Sequence, residues 1–150
     1  MKLAEALQER ADLNRRIDQL SVRLRSNAIV QEGESPAEDP AGLMEELDGC
    51  IERLSELMKR INRTNCLTES GGKTLTDMIA ERDCLKLKIA SYRLFADEAS
   101  QTGQRARMTE IKLLSTADVP GLRKMIDSMS RDLRELDNTI QGLNWTVELM

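Results

Sequence analysis

Apolar residues recur along the last third of the chain at alternating spacings of four and three: Leu122, Ile126, Met129, Leu133, Leu136, Ile140, Leu143 and Val147. Such a seam predicts one long helix with a narrow apolar face, which needs a partner surface of matching length. That partner is either another helix of the same chain or another copy. Ser115, Thr116 and Asp118 are candidate caps, Pro120 suits the first turn, and the helix is expected to end near Asn144-Trp145-Thr146.

Three shorter stripes precede it. A first helix is expected from about Lys2 to Arg25 on Leu3, Ala6, Leu13, Ile17, Leu20 and Leu24, with Arg10 interrupting the stripe. A second is expected from about Ala41 to Asn62 on Leu43, Leu47, Cys50, Ile51, Leu54, Leu57, Met58 and Ile61. A third runs to about Ala99 on Met78, Arg82, Leu85, Ile89, Tyr92 and Ala96, opened by Thr74 and Asp77 as a capping box, with Thr76 as a competing cap. Arg10 is read as an edge residue whose stem packs while its head reaches solvent, or else as a paired buried arginine that fixes register, and Arg82 as a residue on the seam that can pair with an acid on a facing helix.

The connections differ in character. Residues 26–41 are long for a helical bundle and acidic, although Ala28, Ile29 and Val30 could form a short packed segment. Around Ser70-Gly71-Gly72-Lys73 the flanks are β-tolerant, which predicts a small hairpin near residues 66–75. Residues 100–108 read as a polar loop, and Ile111, Leu113 and Leu114 predict a short strand near 109–115 set against that hairpin. The expected class is therefore all-α: long antiparallel helices in a coiled-coil-like bundle of four, one helical domain over residues 1–150, with the hairpin and strand as minor additions.

Charge refines the picture. Between Asn27 and Met58 lie nine acids (Glu32, Glu34, Glu38, Asp39, Glu45, Glu46, Asp48, Glu52 and Glu56) against one base, Arg53. The first helix is the reverse, with Lys2, Arg10, Arg15, Arg16, Arg23 and Arg25 outnumbering Glu5, Glu9, Asp12 and Asp18. These blocks favour an antiparallel pairing, within or between chains. Exposed pairs contribute only about 0–1 kcal/mol each, so they set orientation more than affinity.

Composition narrows the chemistry. Nearly half of the residues are Ala, Glu, Lys, Leu or Arg, as expected of long helices. Tyr92, Phe95 and Trp145 are the only aromatics, which argues against an aromatic-lined pocket. With no His in the chain, imidazole catalysis is excluded and Cys50, within an apolar stripe, lacks the base a nucleophile would need. Cys50, Cys66 and Cys84 show no CxxC spacing, so neither a disulfide framework nor a thiolate zinc site is indicated. The carboxylates of residues 45–56 read as a solvated acidic face, not as a metal site. No cofactor or metal is expected.

Gly72-Lys73-Thr74 has the ending of a phosphate loop, but Leu67 stands where that loop needs its first glycine. The net charge of -4 disfavours nucleic acid; only Arg105, Arg107 and the basic first helix speak for it. No apolar run approaches the roughly 18 residues of a membrane span, and Glu5 and Glu9 occupy the place of a signal peptide's apolar core, so a cytoplasmic protein is expected.

One polar set stands apart: Asn62, Arg63, Thr64, Asn65, Thr76, Asp77, Arg82, Asp83, Asn144 and Trp145. Brought together by folded-back helices, these amides, guanidinia and indole would suit an anionic or amide-containing ligand. The competing reading assigns them to helix ends and an interhelical ion pair. The leading expectation is a non-enzymatic, homo-oligomeric interaction or scaffold protein associating through heptad faces. A ligand-binding protein or enzyme built on the polar set is the alternative.

The segments Ala4-Glu5-Ala6-Leu7-Gln8-Glu9-Arg10, Gln31-Glu32-Gly33-Glu34, Ile61-Asn62-Arg63-Thr64-Asn65, Thr74-Leu75-Thr76-Asp77 and Asn144-Trp145-Thr146, in this order, resemble the septicolysin-like family of small bacterial proteins. The resemblance implies a bacterial, cytoplasmic, helical protein and brings no activity with it. The chain lacks the β-rich composition and tryptophan-rich membrane segment that the family label, with its overtone of pore formation, would require.

Overall fold

The computed structural model describes residues 1–102 and 110–150, and the expected all-α class is what it shows. Four long helices, α1 (Leu3–Ser26), α2 (Pro40–Leu67), α3 (Leu75–Ala99) and α4 (Val119–Thr146), are joined by one small sheet, the hairpin of β1 (Glu69–Ser70) and β2 (Lys73–Thr74). Contacts group the chain into two compact units, residues 1–70 with 142–150 and residues 71–141.

The first unit is built on the pairing of α1 with α2. Its buried apolar residues include Leu3, Ala6 and Leu20 on α1, Leu43, Leu57 and Ile61 on α2, and Leu149. Charge fixes the register as the sequence suggested. The guanidinium of Arg53 donates to Glu9 at 2.6 and 3.0 Å, Arg16 donates through Nε to Glu46 at 2.9 Å, and Arg23 donates through Nε to Glu38 at 3.0 Å. The α1 members stand seven residues apart while their partners descend along the chain, which is an antiparallel ladder beside the apolar seam. The opposite-charge blocks therefore meet within one chain.

The connection between these helices is held at both ends. Asn27 donates through Nδ2 to the Arg23 carbonyl at 2.9 Å and accepts the Glu38 amide at 2.9 Å. Asp39 then caps α2, accepting from the Ala41 and Gly42 amides, with Pro40 in the first turn. Ala28, Ile29 and Val30 do not pack: all three are exposed, Ile29 by 89 %.

Helix α2 does not stop at Asn62 but continues through Leu67. Leu57, Ile61, Thr64 and Thr68 are buried at spacings of four, three and four, so the inward stripe runs on through two threonines. Thr64 donates its hydroxyl to the Arg60 carbonyl at 2.9 Å and so remains compatible with the helix. The hairpin turn is Gly71-Gly72, with φ of +60 and +78, a backbone region that suits glycine at both central positions.

In the second unit, Ile89 and Ala96 of α3 and Ile126 of α4 form a small buried cluster, with Leu85, Tyr92, Leu122, Met129 and Leu133 packed against it. The first half of the C-terminal seam is thus used within the chain. Arg82 reaches Asp137 at 3.7 Å, Arg93 reaches Ser130 at 3.4 Å and Arg123 reaches Asp97 at 2.9 Å, again an antiparallel order. Thr74 and Asp77 form the expected capping box of α3, and Asp118 accepts the Gly121 amide at 3.2 Å at the start of α4. Thr76 lies inside α3 and is not its cap.

The expected strand near 109–115 is not found among the described residues. Residues 110–115 hold only an isolated bridge residue, Lys112, and the sheet has two strands. Leu114 after Leu113 breaks the alternation begun at Ile111, and all three apolar side chains are exposed, so no packed face holds the segment as a strand. Residue 109, most of the expected polar loop, and Arg105 and Arg107 lie outside the described residues.

Candidate functional site

The polar set singled out from the sequence divides between the two units. Asn62, Arg63, Thr64, Asn65, Asn144 and Trp145 belong to the first, and Thr76, Asp77, Arg82 and Asp83 to the second. Within the first unit, Asn62 and Arg63 are exposed on α2, Asn65 is half-buried, and Trp145 is 65 % exposed. Thr64 and Asn144 are buried.

Thr64 has a structural task. Its hydroxyl accepts the Met150 amide at 3.0 Å while donating to the Arg60 carbonyl. Nearby, Arg60 donates through Nε to the Met150 carbonyl oxygen at 2.9 Å. The residues after α4 also pair with those before α1: Leu3 N–H donates to Val147 at 2.9 Å, Leu149 N–H donates to Met1 at 2.9 Å, and Lys2 and Glu148 form an antiparallel bridge. The Lys2 ammonium lies 2.6 Å from Glu148. Together with the Met1 amine it holds the Glu148 carboxyl below the usual glutamate range. Thr68 carries a buried hydroxyl with no hydrogen-bond partner among the described residues.

Within the second unit, Asp77 and Asp83 bond near neighbours in sequence, Arg82 also reaches across to α4, and Thr76 is exposed on α3. The Thr74 hydroxyl donates to the Asp77 carboxylate at 2.7 Å and, with the Thr74 amide, keeps that carboxyl below its ordinary range. Arg82 is half-buried and bonds Asp83 at 2.9 Å besides approaching Asp137. This is the interhelical pairing that was the competing reading of Arg82.

Four surface grooves are lined by residues outside the polar set. One of about 520 Å³ lies in the second unit between α3 and α4, where Leu85 and Leu136 form an apolar floor flanked by Glu81, Cys84, Lys88 and Asp132. Among the described residues no group of three or more Cys, Asp or Glu side chains is placed to hold a metal ion. Nor is any helix long and apolar enough to cross a membrane.

Two helices carry a second apolar register: on α2 it takes Ile51 and Met58, which the sequence reading counts in the inward stripe and which are exposed instead, and on α3 the sequence reading missed it. On α2, Met44, Ile51 and Met58 recur every seven residues and each is about half exposed. On α3, Leu87 and Leu94 are 70 and 73 % exposed, on the face opposite Ile89 and Ala96. They belong to the series Ala80, Cys84, Leu87, Ser91 and Leu94, all exposed, at spacings of four and three. Singly exposed leucines are ordinary, but recurrence in a heptad register on a long helix is what a partner helix recognises. The signal was legible, since α3 shows two interleaved apolar series and only the inner one was followed.

No curated protein matches the chain. A solved structure described as a functionally unknown conserved protein from Corynebacterium diphtheriae is similar over 100 % of this chain and 99 % of its own, with 42 % identity and a TM-score of 0.92. A family model described as a family of unknown function (DUF6847) matches residues 10–149.

Proposed function

We propose that this chain, which belongs to the DUF6847 family, is a non-enzymatic helical interaction protein of the bacterial cytoplasm that self-associates through the outward apolar faces of its long helices. The observation that carries this reading is the exposed seven-residue recurrence on α2 and α3, apolar surface that the inner core leaves uncovered. The scarcity of aromatics and the lack of His support the non-enzymatic part. The bacterial relative of known structure and the septicolysin-like resemblance support the bacterial part.

Magnitudes indicate the strength to expect. Burying Leu87 and Leu94 in two copies, each side chain about two-thirds exposed beforehand, contributes roughly 4–8 kcal/mol. Association costs about 4–15 kcal/mol in lost freedom. One stripe therefore supports at most a weak complex, and the stripe on α2 or an added charge pair is needed for a tight one. Size-exclusion chromatography with light scattering over a range of concentrations tests the reading: mass rising above that of one chain in the micromolar range is expected, and a monomer throughout that range contradicts it.

A further inference from the structure

From the outer face of α3 we infer that a second copy of this chain docks there, α3 against α3, parallel and in register. The inference rests on the self-association reading and names the surface and orientation. In the exposed series, Ala80, Leu87 and Leu94 take one core position of the heptad and Cys84 and Ser91 the other. Asp83 and Lys88 then flank the seam on opposite sides.

Charge decides the direction. In a parallel pair each flanking residue faces the one five positions later on the other helix, so Asp83 meets Lys88 of the second copy, twice by symmetry. The next flanking pair, Ala90 with Phe95, is apolar. An antiparallel pair with the same core layers would set Asp83 against Asp97 and Lys88 against Lys88, like charges on both sides. Asp97 already binds Arg123 at 2.9 Å, which softens its repulsion, but Lys88 would gain no partner beyond its own Tyr92 ring, 5.6 Å away. Arg82 holds Oδ1 of the Asp83 carboxylate, through Nε at 2.9 Å and a terminal guanidinium nitrogen at 2.8 Å, and Oδ2 keeps acceptor capacity for Lys88.

Parallel, in-register packing also stacks Cys84 on Cys84 of the second copy across the seam, within reach of a disulfide after mild oxidation. Each thiol loses its proton and the pair gives two electrons to the oxidant, here diamide, which is reduced to the hydrazine. The test uses the full chain with Cys84 as the sole cysteine (C50A, C66A) beside one with Cys66 alone (C50A, C84A), both checked for helix content by circular dichroism. The Cys84 chain is expected to give a linked dimer at least tenfold faster than the Cys66 chain. Equal rates overturn the inference.

A second measurement does not depend on replacing Cys50. In sedimentation equilibrium, D83K and K88D are each expected to weaken the dimer about tenfold, and the double exchange to restore it to within about threefold. Strengthening by D83K alone would mean an antiparallel pair and overturns the orientation. If the natural chain self-associates but neither Cys84 linkage nor these substitutions affect it, this inference fails while the self-association reading stands. If it remains monomeric throughout, both fail.

Discussion

The two units solve the same problem, pairing two long helices, by different means. In the first unit α1 and α2 carry opposite charge blocks that meet in a ladder of Glu9–Arg53, Arg16–Glu46 and Arg23–Glu38, the connection is anchored by Asn27 and Asp39, and the segments at residues 1–3 and 147–150 are joined by backbone hydrogen bonds. In the second unit the pair rests on a small cluster around Ile89, Ala96 and Ile126, and α3 has leucines on its outer side as well. The lesson is that α1, with one apolar face, is satisfied by one neighbour, whereas α2, with half-exposed Met44, Ile51 and Met58, and α3 each keep a second apolar face. A helix with two retains a surface for another.

The comparison breaks most readily at the buried leucines. Leu57→Ala in α2, a side chain with no exposure, is expected to cost about 2–5 kcal/mol in urea unfolding. Leu87→Ala on α3 is expected to change chain stability by no more than about 0.5 kcal/mol while weakening association. A large loss of monomer stability from Leu87→Ala would show that this face is packed within the chain.

Next in size is the entry to α3. Thr74→Ala removes the hydroxyl that accepts the Asp77 amide at 3.1 Å and is expected to cost about 1 kcal/mol, read as a shift of the thermal midpoint. No shift would show that the cap is dispensable.

The smallest effects belong to the charge ladder of the first unit. The Arg53 guanidinium, by its hydrogen bond first and its charge second, holds the Glu9 carboxyl below its ordinary range against the opposing effect of burial. A carboxyl whose folded pKa is depressed contributes stability that is fully present above its unfolded pKa, about 4.3, and is lost as pH falls through the folded value. Glu9→Gln is therefore expected to lower stability by about 0–1 kcal/mol at pH 7 and to match the natural chain at low pH, once Glu9 is protonated in both states. A difference that persists undiminished in acid would assign the effect to packing instead of charge.

Much of this fold was legible because local signals agreed. The Thr74–Asp77 box, the Asp118 cap before Pro120, the Gly-Gly turn and the charge blocks each pointed to the element that forms. The end of α2 was not legible, because Asn62-Arg63-Thr64-Asn65 has the composition of a turn while burial continues through Thr64 and Thr68. Composition marks what a segment tolerates, and tertiary packing decided this one. The polar set has two readings for a related reason: residues that cap, pair or close hydrogen bonds at helix ends share their chemistry with ligand-binding residues. Thr64, Asp77 and Arg82 all carry such structural bonds. The outer stripe of α3 was available in the sequence but hidden behind the inner one, whose Ile89 and Tyr92 are the bulkier residues.

The most direct measurement is sedimentation velocity of the natural chain beside Leu87→Asp/Leu94→Asp, across the micromolar range and with circular dichroism to confirm equal helix content. The account predicts that the natural chain shifts from monomer to dimer or higher with concentration and that the doubly substituted chain stays monomeric. A natural chain that sediments as a monomer at every concentration would contradict it.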